Sequence, residues 1–500
     1  MQEISLPSLS LERFEPLMGT RSAETMWSAV RQAQEMLPGR AVWNVNSTAT
    51  GGGVAEMLQM LLAYARGCGI DARWLVMQGD MDFFTITKRI HNHLHGSPGD
   101  GEALNGHDQA HYAKVSQHNG EAIKAVVRPR DIVLLHDPQT AGLIPAMHKA
   151  GATVIWQCHI GNDTTNDLTD HAWAFLRPYL EEADAFVFSR AAYVPPWLNG
   201  GRVRIIPPSI SPFSVKNQSL SPSTARAILT HIGLLRVNGG RGKPGFTRLD
   251  GSPAQVHRRA EVLYTGSLPG PDVPLVVQVS RWDRLKDMIG VMQGFVEHLD
   301  SSVKAHLILA GPSVRGVTDD PEGSEALEEC IAAWHKLPEE KRSRVQIVCL
   351  PMEDIEENAA MVNALQRHAA VIVQKSLHEG FGLKVTEAMW KGRPTVASAV
   401  GGIQDQIVDG RHGLLLKDPT DLEALGRAMQ RLLTDRAFAL KLGRNARRRA
   451  ITHFLSPRHL TQYMDLFTSV NGHSSPLPHD ELSRSGNGHG SPSSQAPTGK

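Results

Sequence analysis

Four cysteines in 500 residues are too few to staple a fold, and none forms a C-x-x-C pair. Cys68, Cys158, Cys330 and Cys349 therefore read as buried, reduced thiols. Net charge is also missing, since 52 Lys and Arg offset 51 Asp and Glu. Without a basic field nothing gathers nucleic acid or an anionic membrane, so neither is an expected partner and binding must come from local sites. No run approaches the roughly 18 consecutive apolar residues that a membrane helix needs. The opening MQEISLPSLSLERFEPL lacks the basic-then-apolar layout of a secretory signal. The expected compartment is the cytoplasm. The sequence also has no G-x-G-x-x-G fingerprint, no Walker Lys-Ser/Thr pair and no Asp-x-Asp behind a strand. These absences disfavour a nicotinamide, an ATP or a metal-clamped diphosphate site.

What is present is a rhythm. Apolar runs of strand length alternate with helical patterns, which predicts parallel sheets flanked by helices, an α/β fold. The first half gives strands at Val42–Asn46, Trp74–Met77, Ile132–Leu135, Thr153–Gln157, Phe186–Phe188 and Val203–Ile206. The second half gives Leu275–Val279, Ala305–Leu309, Val345–Cys349, Val371–Gln374, Pro394–Ala397 and Gly413–Leu416. Two sets of six predict two Rossmann-like, doubly wound domains facing each other across a cleft, with ligands outside the carboxyl ends of the strands. The expected boundaries are 1–212 for the first domain and 213–454 for the second, whose segment 213–274 is the interdomain connection. A helix over 455–470 and a Gly/Ser/Pro/His-rich tail over 471–500 complete the chain; the tail's composition cannot bury a core and predicts disorder.

Three stretches sit just behind predicted strands. Arg281 and Lys286, in Val-Ser-Arg-Trp-Asp-Arg-Leu-Lys-Asp, place two cations five residues apart, suited to a diphosphate; solvated charges at a helix start are the plainer alternative. Lys375-Ser-Leu-His-Glu379-Gly-Phe-Gly382 leads into a helix beginning near Leu383. Gly380, Phe381 and Gly382 allow close backbone approach, and the helix start offers free N–H groups to an anion. Glu379 can accept from sugar hydroxyls and Glu387, one turn on, from a ribose diol; an acidic helix cap would look similar. Ser47-Thr-Ala-Thr-Gly51-Gly52-Gly53 follows the first strand and reads either as a second anion cradle or as a tight turn. His159, in Trp-Gln-Cys-His-Ile-Gly-Asn162-Asp163, and His136-Asp137-Pro-Gln139 lie at the expected cleft lip, where a sugar contact competes with a structural role. His91, His93 and His95 have i, i+2, i+4 spacing, which puts only two on one helical face, so metal binding is disfavoured.

Glu379-x7-Glu387, with Arg281 and Lys286 upstream, resembles retaining glycosyltransferase family 4 of the GT-B fold. Within it, the chain is similar to the trehalose glycosyltransferring synthases. Trp43-Asn-Val-Asn-Ser-Thr, Phe83-Phe-Thr-Ile-Thr-Lys-Arg-Ile-His-Asn, Leu135-His-Asp-Pro-Gln-Thr and Trp156-Gln-Cys-His-Ile-Gly carry that narrower likeness. The resemblance runs from about Leu17 to about Phe467 and implies a hexosyltransferase that makes trehalose from NDP-glucose and free glucose. The reaction it implies is reversible, retains configuration and uses no metal or other cofactor. Trehalose phosphorolysis, another soluble acceptor and a non-catalytic sugar or nucleotide sensor are the alternatives. Carried over residue by residue, Arg281 and Lys286 stabilise the diphosphate and Glu379 holds donor hydroxyls. Gly52, Gly53, Gly380, Phe381, Gly382 and Leu383 line the donor, Glu387 holds its ribose, and His159 lies near its C6 hydroxyl. Acceptor contacts are expected from Glu56, Asp137, Gln139, Asn162 and Asp163. The expected partners are these small molecules and, as assembly, a homodimer. The family also implies that the last helix crosses back to the first domain.

Overall fold

The strand–helix alternation closes into two seven-stranded sheets, seen in a computed structural model that describes residues 1–49, 52–198, 200–236, 242–314 and 321–471. The first sheet contains β1 (Gln2–Ile4), β2 (Ala41–Asn46), β3 (Asp71–Val76), β4 (Ile132–His136), β5 (Thr153–Cys158), β6 (Ala185–Phe188) and β7 (Val203–Ile205). Their order is β1-β3-β2-β4-β5-β6-β7, parallel except for β1, which pairs antiparallel with β3. A hairpin, β8 (Gly245–Thr247) and β9 (Pro253–Gln255), precedes the second sheet. That sheet contains β10 (Glu261–Leu263), β11 (Leu275–Val279), β12 (His306–Pro312), β13 (Val345–Leu350), β14 (Val371–Gln374), β15 (Thr395–Ser398) and β16 (Leu414–Leu416). Its order is β10-β13-β12-β11-β14-β15-β16, with only β10 antiparallel.

The central strands read as unbroken apolar runs because both sheet faces are covered: every residue of β2, β4, β11 and β14 is buried. In each sheet the chain steps outward from one strand and then returns to its other side. The reversal falls between β2 and β4 in the first sheet and between β11 and β14 in the second. A crevice opens at the carboxyl edge of each such pair, and there Asn46-Ser47 and His136-Asp137 meet Ser280-Arg281 and Lys375–Glu379.

The helix Ser456–Asn471 packs on helices Thr20–Met36 and Gly52–Gly67 of the first domain. Tyr463 donates to Gln157 of β5, and the hydroxyl of Ser209 bonds His459 Nδ1 at 2.9 Å. Leu460, Met464 and Phe467 share one hydrophobic cluster with Phe381 and Trp390 of the second domain. The returning helix therefore ties both domains into a common core.

All twelve expected strands are present, with ends moved by up to three residues. β1, β8, β9 and β10, each three residues long, were too short to show a period in the sequence. Within the connection, the helix Pro222–His231 stops where the chain turns at Gly233 with φ +89°. The β8–β9 hairpin is fastened where Arg248 grips Asp354 at 2.6 Å and Glu356 at 2.8 Å. Gly51 and the tail from 472 lie outside the described residues. No helix among the described residues is long and apolar enough to cross a membrane.

Candidate active site

The two reversals face each other across a cavity of about 370 Å³. On the second-domain side, Gln278 of β11 locks both motifs together. Its amide donates to Lys286 O at 2.6 Å, and its carbonyl accepts from Lys375 N at 3.0 Å. The fully buried Lys375 ion-pairs with Asp287. Asp287 adopts φ +44° and caps the next helix through Gly290 N at 2.9 Å. So fixed, Lys286 Nζ reaches Glu379 Oε2 at 2.9 Å, and that carboxylate oxygen also accepts from Ser376 Oγ at 3.0 Å. Both partners are about 15% exposed and line the cavity, so the pair is screened from bulk water. Arg281 also lines the cavity, but it is 59% exposed and its contact with Asp283 is loose, at 3.6 Å.

Gly382 opens the helix Leu383–Trp390 at φ +84°, and no side chain caps the free amides there. A Cβ at Gly382 would meet Ile403 Cγ1 at 2.9 Å and Glu379 Cγ at 3.2 Å, so the turn needs glycine twice over. Across the cleft, Gly52 has φ +80° with open space beside it, while a Cβ on Gly53 would meet Leu383 Cδ1 at 2.7 Å. Gly380 approaches the carbonyl oxygen of His159 less closely, at 3.2 Å for a Cβ. The two glycine turns thus touch across the domain boundary.

His159, at the end of β5, lines the same cavity. Its backbone N–H donates to Asp137 Oδ1 at 2.7 Å, and its ring bonds His136, whose far nitrogen reaches Asn44 Oδ1 at 3.0 Å. Burial pushes both imidazoles below their ordinary pKa, with Asp137 opposing this at His159 and His159 adding to it at His136.

Of the expected acceptor residues, Asp137 and Gln139 line the cavity, but Glu56, Asn162 and Asp163 do not. Glu56 is held by Lys216 Nζ at 2.6 Å. Asp163 clamps the domains: it ion-pairs with Arg190 and accepts from Gly401 N at 3.1 Å and Gln404 Nε2 at 2.8 Å. Arg190 also binds Asp405 at 2.9 Å, and Tyr193 OH donates to Gly380 O at 2.6 Å. Sequence reasoning missed this clamp, because its contacts between domains join residues at least 187 positions apart and leave no local pattern. It also gave no cavity role to His91, Asn92 and His95, which line the cavity at the end of helix Met81–Leu94. Burial, then Lys286, pushes His95 down to about 4; burial, then His95 and Lys88, lowers His91. Their i, i+4 spacing was visible, but only the metal reading had been put to it. Among the described residues no three His, Cys, Asp or Glu side chains converge as metal ligands.

Glu387 stands apart from the cavity lining, 3% exposed, bonded to Gln366 Nε2 at 3.0 Å and Lys384 Nζ at 3.3 Å. Burial would raise its pKa, but Lys384, Lys216, Lys391 and Gln366 outweigh it and bring the carboxyl down to about 2. A folded pKa below the ordinary 4.5 means stability that is complete above pH 4.5 and lost as pH falls toward 2. On linkage grounds that contribution is on the order of 3 kcal/mol. Glu387→Gln should therefore unfold at lower urea than the parent at pH 7, and the gap should narrow by pH 3. A gap independent of pH would show that the ionised carboxylate is not the source.

Comparison with known proteins decides the family. Residues 44–195 match "Trehalose synthase, N-terminal domain" and residues 268–449 match "Glycosyl transferases group 1". A trehalose synthase of Pyrococcus horikoshii is 32% identical over 472 residues, 94% of this chain and 99% of that one. The chain belongs to the trehalose synthase family. A Rubrobacter xylanophilus trehalose synthase is 33% identical over 451 residues, 89% of this chain and 94% of its own. The two-domain architecture also matches an α,α-trehalose-phosphate synthase (UDP-forming) of Burkholderia vietnamiensis, with TM-score 0.62, 16% identity and coverage of 88% and 98%. The fold is therefore GT-B, and this family member is a glycosyltransferase.

Proposed function

We propose that the chain transfers glucose from a nucleoside diphosphate glucose to free glucose, reversibly and with retention, giving α,α-1,1-linked trehalose and the diphosphate. The observation that carries this reading is the Lys286–Glu379 pair at the second-domain reversal, facing Gly52, Gly53 and His159 in one cavity. Lys286 and Arg281 meet the diphosphate charge as the C1–O bond to phosphate breaks, joined by the free amides of Gly382 and the helix start. Glu379 is already committed to Lys286 and Ser376. It is a holder of donor hydroxyls, not a covalent nucleophile. The acceptor oxygen bonds C1 on the face the phosphate leaves, and its proton passes to a phosphate oxygen. Glu387 would take the ribose diol by exchanging its longer Lys384 contact while keeping Gln366. Positive side chains and amides supply the neutralisation, so no metal is required, and the free thiols suit a reducing cytoplasm.

A matrix of UDP-, ADP- and GDP-glucose against glucose, with trehalose as readout and a chelator present, tests this. Trehalose should form with at least one donor regardless of chelator, and its breakdown should require a nucleoside diphosphate. Breakdown driven by orthophosphate alone would overturn the reading.

A further inference from the structure

We propose that Asn44 and His136 form a hydrogen-bond relay that fixes the tautomer of His159 and presents its Nδ1 to the donor sugar purely as an acceptor. The inference rests on the nucleotide-sugar reading above only for the identity of the ligand. The relay is built into the edge of the first sheet: Asn44 lies in β2, His136 ends β4 and His159 follows β5. These strands are neighbours in the order β2-β4-β5, so the three side chains line up across their carboxyl ends. His136 Nε2 meets Asn44 Oδ1 at 3.0 Å, and His136 Nδ1 meets His159 Nε2 at 3.2 Å. The rings are nearly parallel, at 13°. All three residues are at least nine-tenths buried, so water cannot rewrite the pattern.

The polarity follows from counting protons. An amide oxygen only accepts, so His136 Nε2 must carry a hydrogen. Burial keeps both rings neutral at pH 7, which leaves one hydrogen per ring. His136 Nδ1 is then a lone pair, and His159 Nε2 must donate to it. That leaves His159 Nδ1 as a lone pair too. It is buried and has no partner in the structure, although its residue lines the cavity. An unpaired acceptor in such a place is costly until something donates to it. A sugar hydroxyl donates; an ether, a fluorine or a phosphate oxygen does not. Asp137 completes the mounting by holding the backbone N–H of His159, so the ring pivots little. Asn44 and His136 touch no substrate in this scheme and act as positioning residues.

The experiment has two arms. The first is ring-nitrogen NMR of the ligand-free protein with 15N-labelled histidine, the signals assigned by their loss in His136→Gln and His159→Gln. His159 should carry its proton on Nε2, and Asn44→Leu, measured at a temperature where it stays folded, should abolish that preference. A parent protein with the proton on Nδ1 overturns the relay. The second arm compares NDP-glucose with its 6-deoxy-6-fluoro analogue, which can accept but not donate at C6. The parent should prefer the hydroxyl by about 30-fold in kcat/KM, the cost of one unsatisfied buried acceptor. Asn44→Leu should shrink that ratio to a few-fold while NDP affinity stays unchanged. An unchanged ratio in Asn44→Leu overturns the proposal. A parent that makes no trehalose would instead refute the functional reading, because the first arm needs no substrate.

Discussion

Lys286→Ala should lower kcat by about 10³-fold, the loss seen when one preorganised charge-stabilising group is removed, equivalent to about 4 kcal/mol. The reason for so large an effect is the setting of the ammonium group. It is only 14% exposed, held at 2.9 Å from Glu379 and fixed through its own backbone by Gln278. On the proposed reading, charge that develops on the leaving diphosphate meets a cation that is already in place and poorly screened. Arg281 offers the contrast. At 59% exposure, with one loose partner at 3.6 Å, it must be drawn in by the ligand and competes with water. Its alanine variant should lose about tenfold to 10²-fold, weighted toward KM for the donor. Steady-state kinetics on both variants, with urea unfolding to confirm intact folding, decides the order. Equal losses would mean that the two cations share one role, and an unchanged Lys286→Ala rate would remove the diphosphate assignment.

The legible part of this protein was what local pattern encodes. β11 and β14 were readable end to end because fully buried parallel strands are continuous apolar runs, and the motifs behind them had to fall at the crevice where each sheet reverses. Gly382 was singled out for the backbone freedom glycine gives before a helix start, but the neighbours that crowd it, Ile403 and Glu379, were not readable. Asp163 was misjudged for the opposite reason. In sequence it is a polar residue near His159, as suited to a sugar as to anything else; its partners Arg190, Gly401 and Gln404 are set only when the domains meet. Glu56 was likewise read as ligand-facing and is instead held by Lys216, 160 positions away, a partner that only the tertiary fold supplies. Glu387 differs: its Lys384 contact is an i, i+3 pair within one helix and was open to sequence reading, whereas its burial and its bond to Gln366 were not. The histidine pair shows a third case: its spacing was seen, but periodicity cannot say that both rings face a cavity with Lys286 on its far wall.

The clamp around Asp163 carries the second large effect, through Gly401. This residue has φ +49°, and a Cβ there would overlap the carbonyl oxygen of Glu379 and come within 2.8 Å of Tyr193 OH. Neither neighbour can give way cheaply. The Glu379 carbonyl belongs to the turn that aims the carboxylate at Lys286, and Tyr193 OH is already bonded to Gly380 O at 2.6 Å. Gly401→Ala must therefore push the Glu379–Gly382 turn toward the cavity or break the Tyr193 contact between domains. The combined backbone strain and overlap should cost about 2–4 kcal/mol of stability. The activity loss should be larger than stability explains, because a shift of about 1 Å in Glu379 separates it from Lys286 and can cost 10²-fold in kcat/KM. Tyr193→Phe separates the two contributions. It removes the interdomain hydrogen bond without adding bulk, and should cost only about 1 kcal/mol with a modest rise in KM for the donor. If Gly401→Ala lost stability but kept its rate, the turn would tolerate displacement, and the case for a preorganised Lys286–Glu379 pair would fail with it. Rate loss in Gly401→Ala at temperatures where it stays folded, beside near-normal turnover in Tyr193→Phe, would show that the clamp serves the donor site through the position of one carbonyl group.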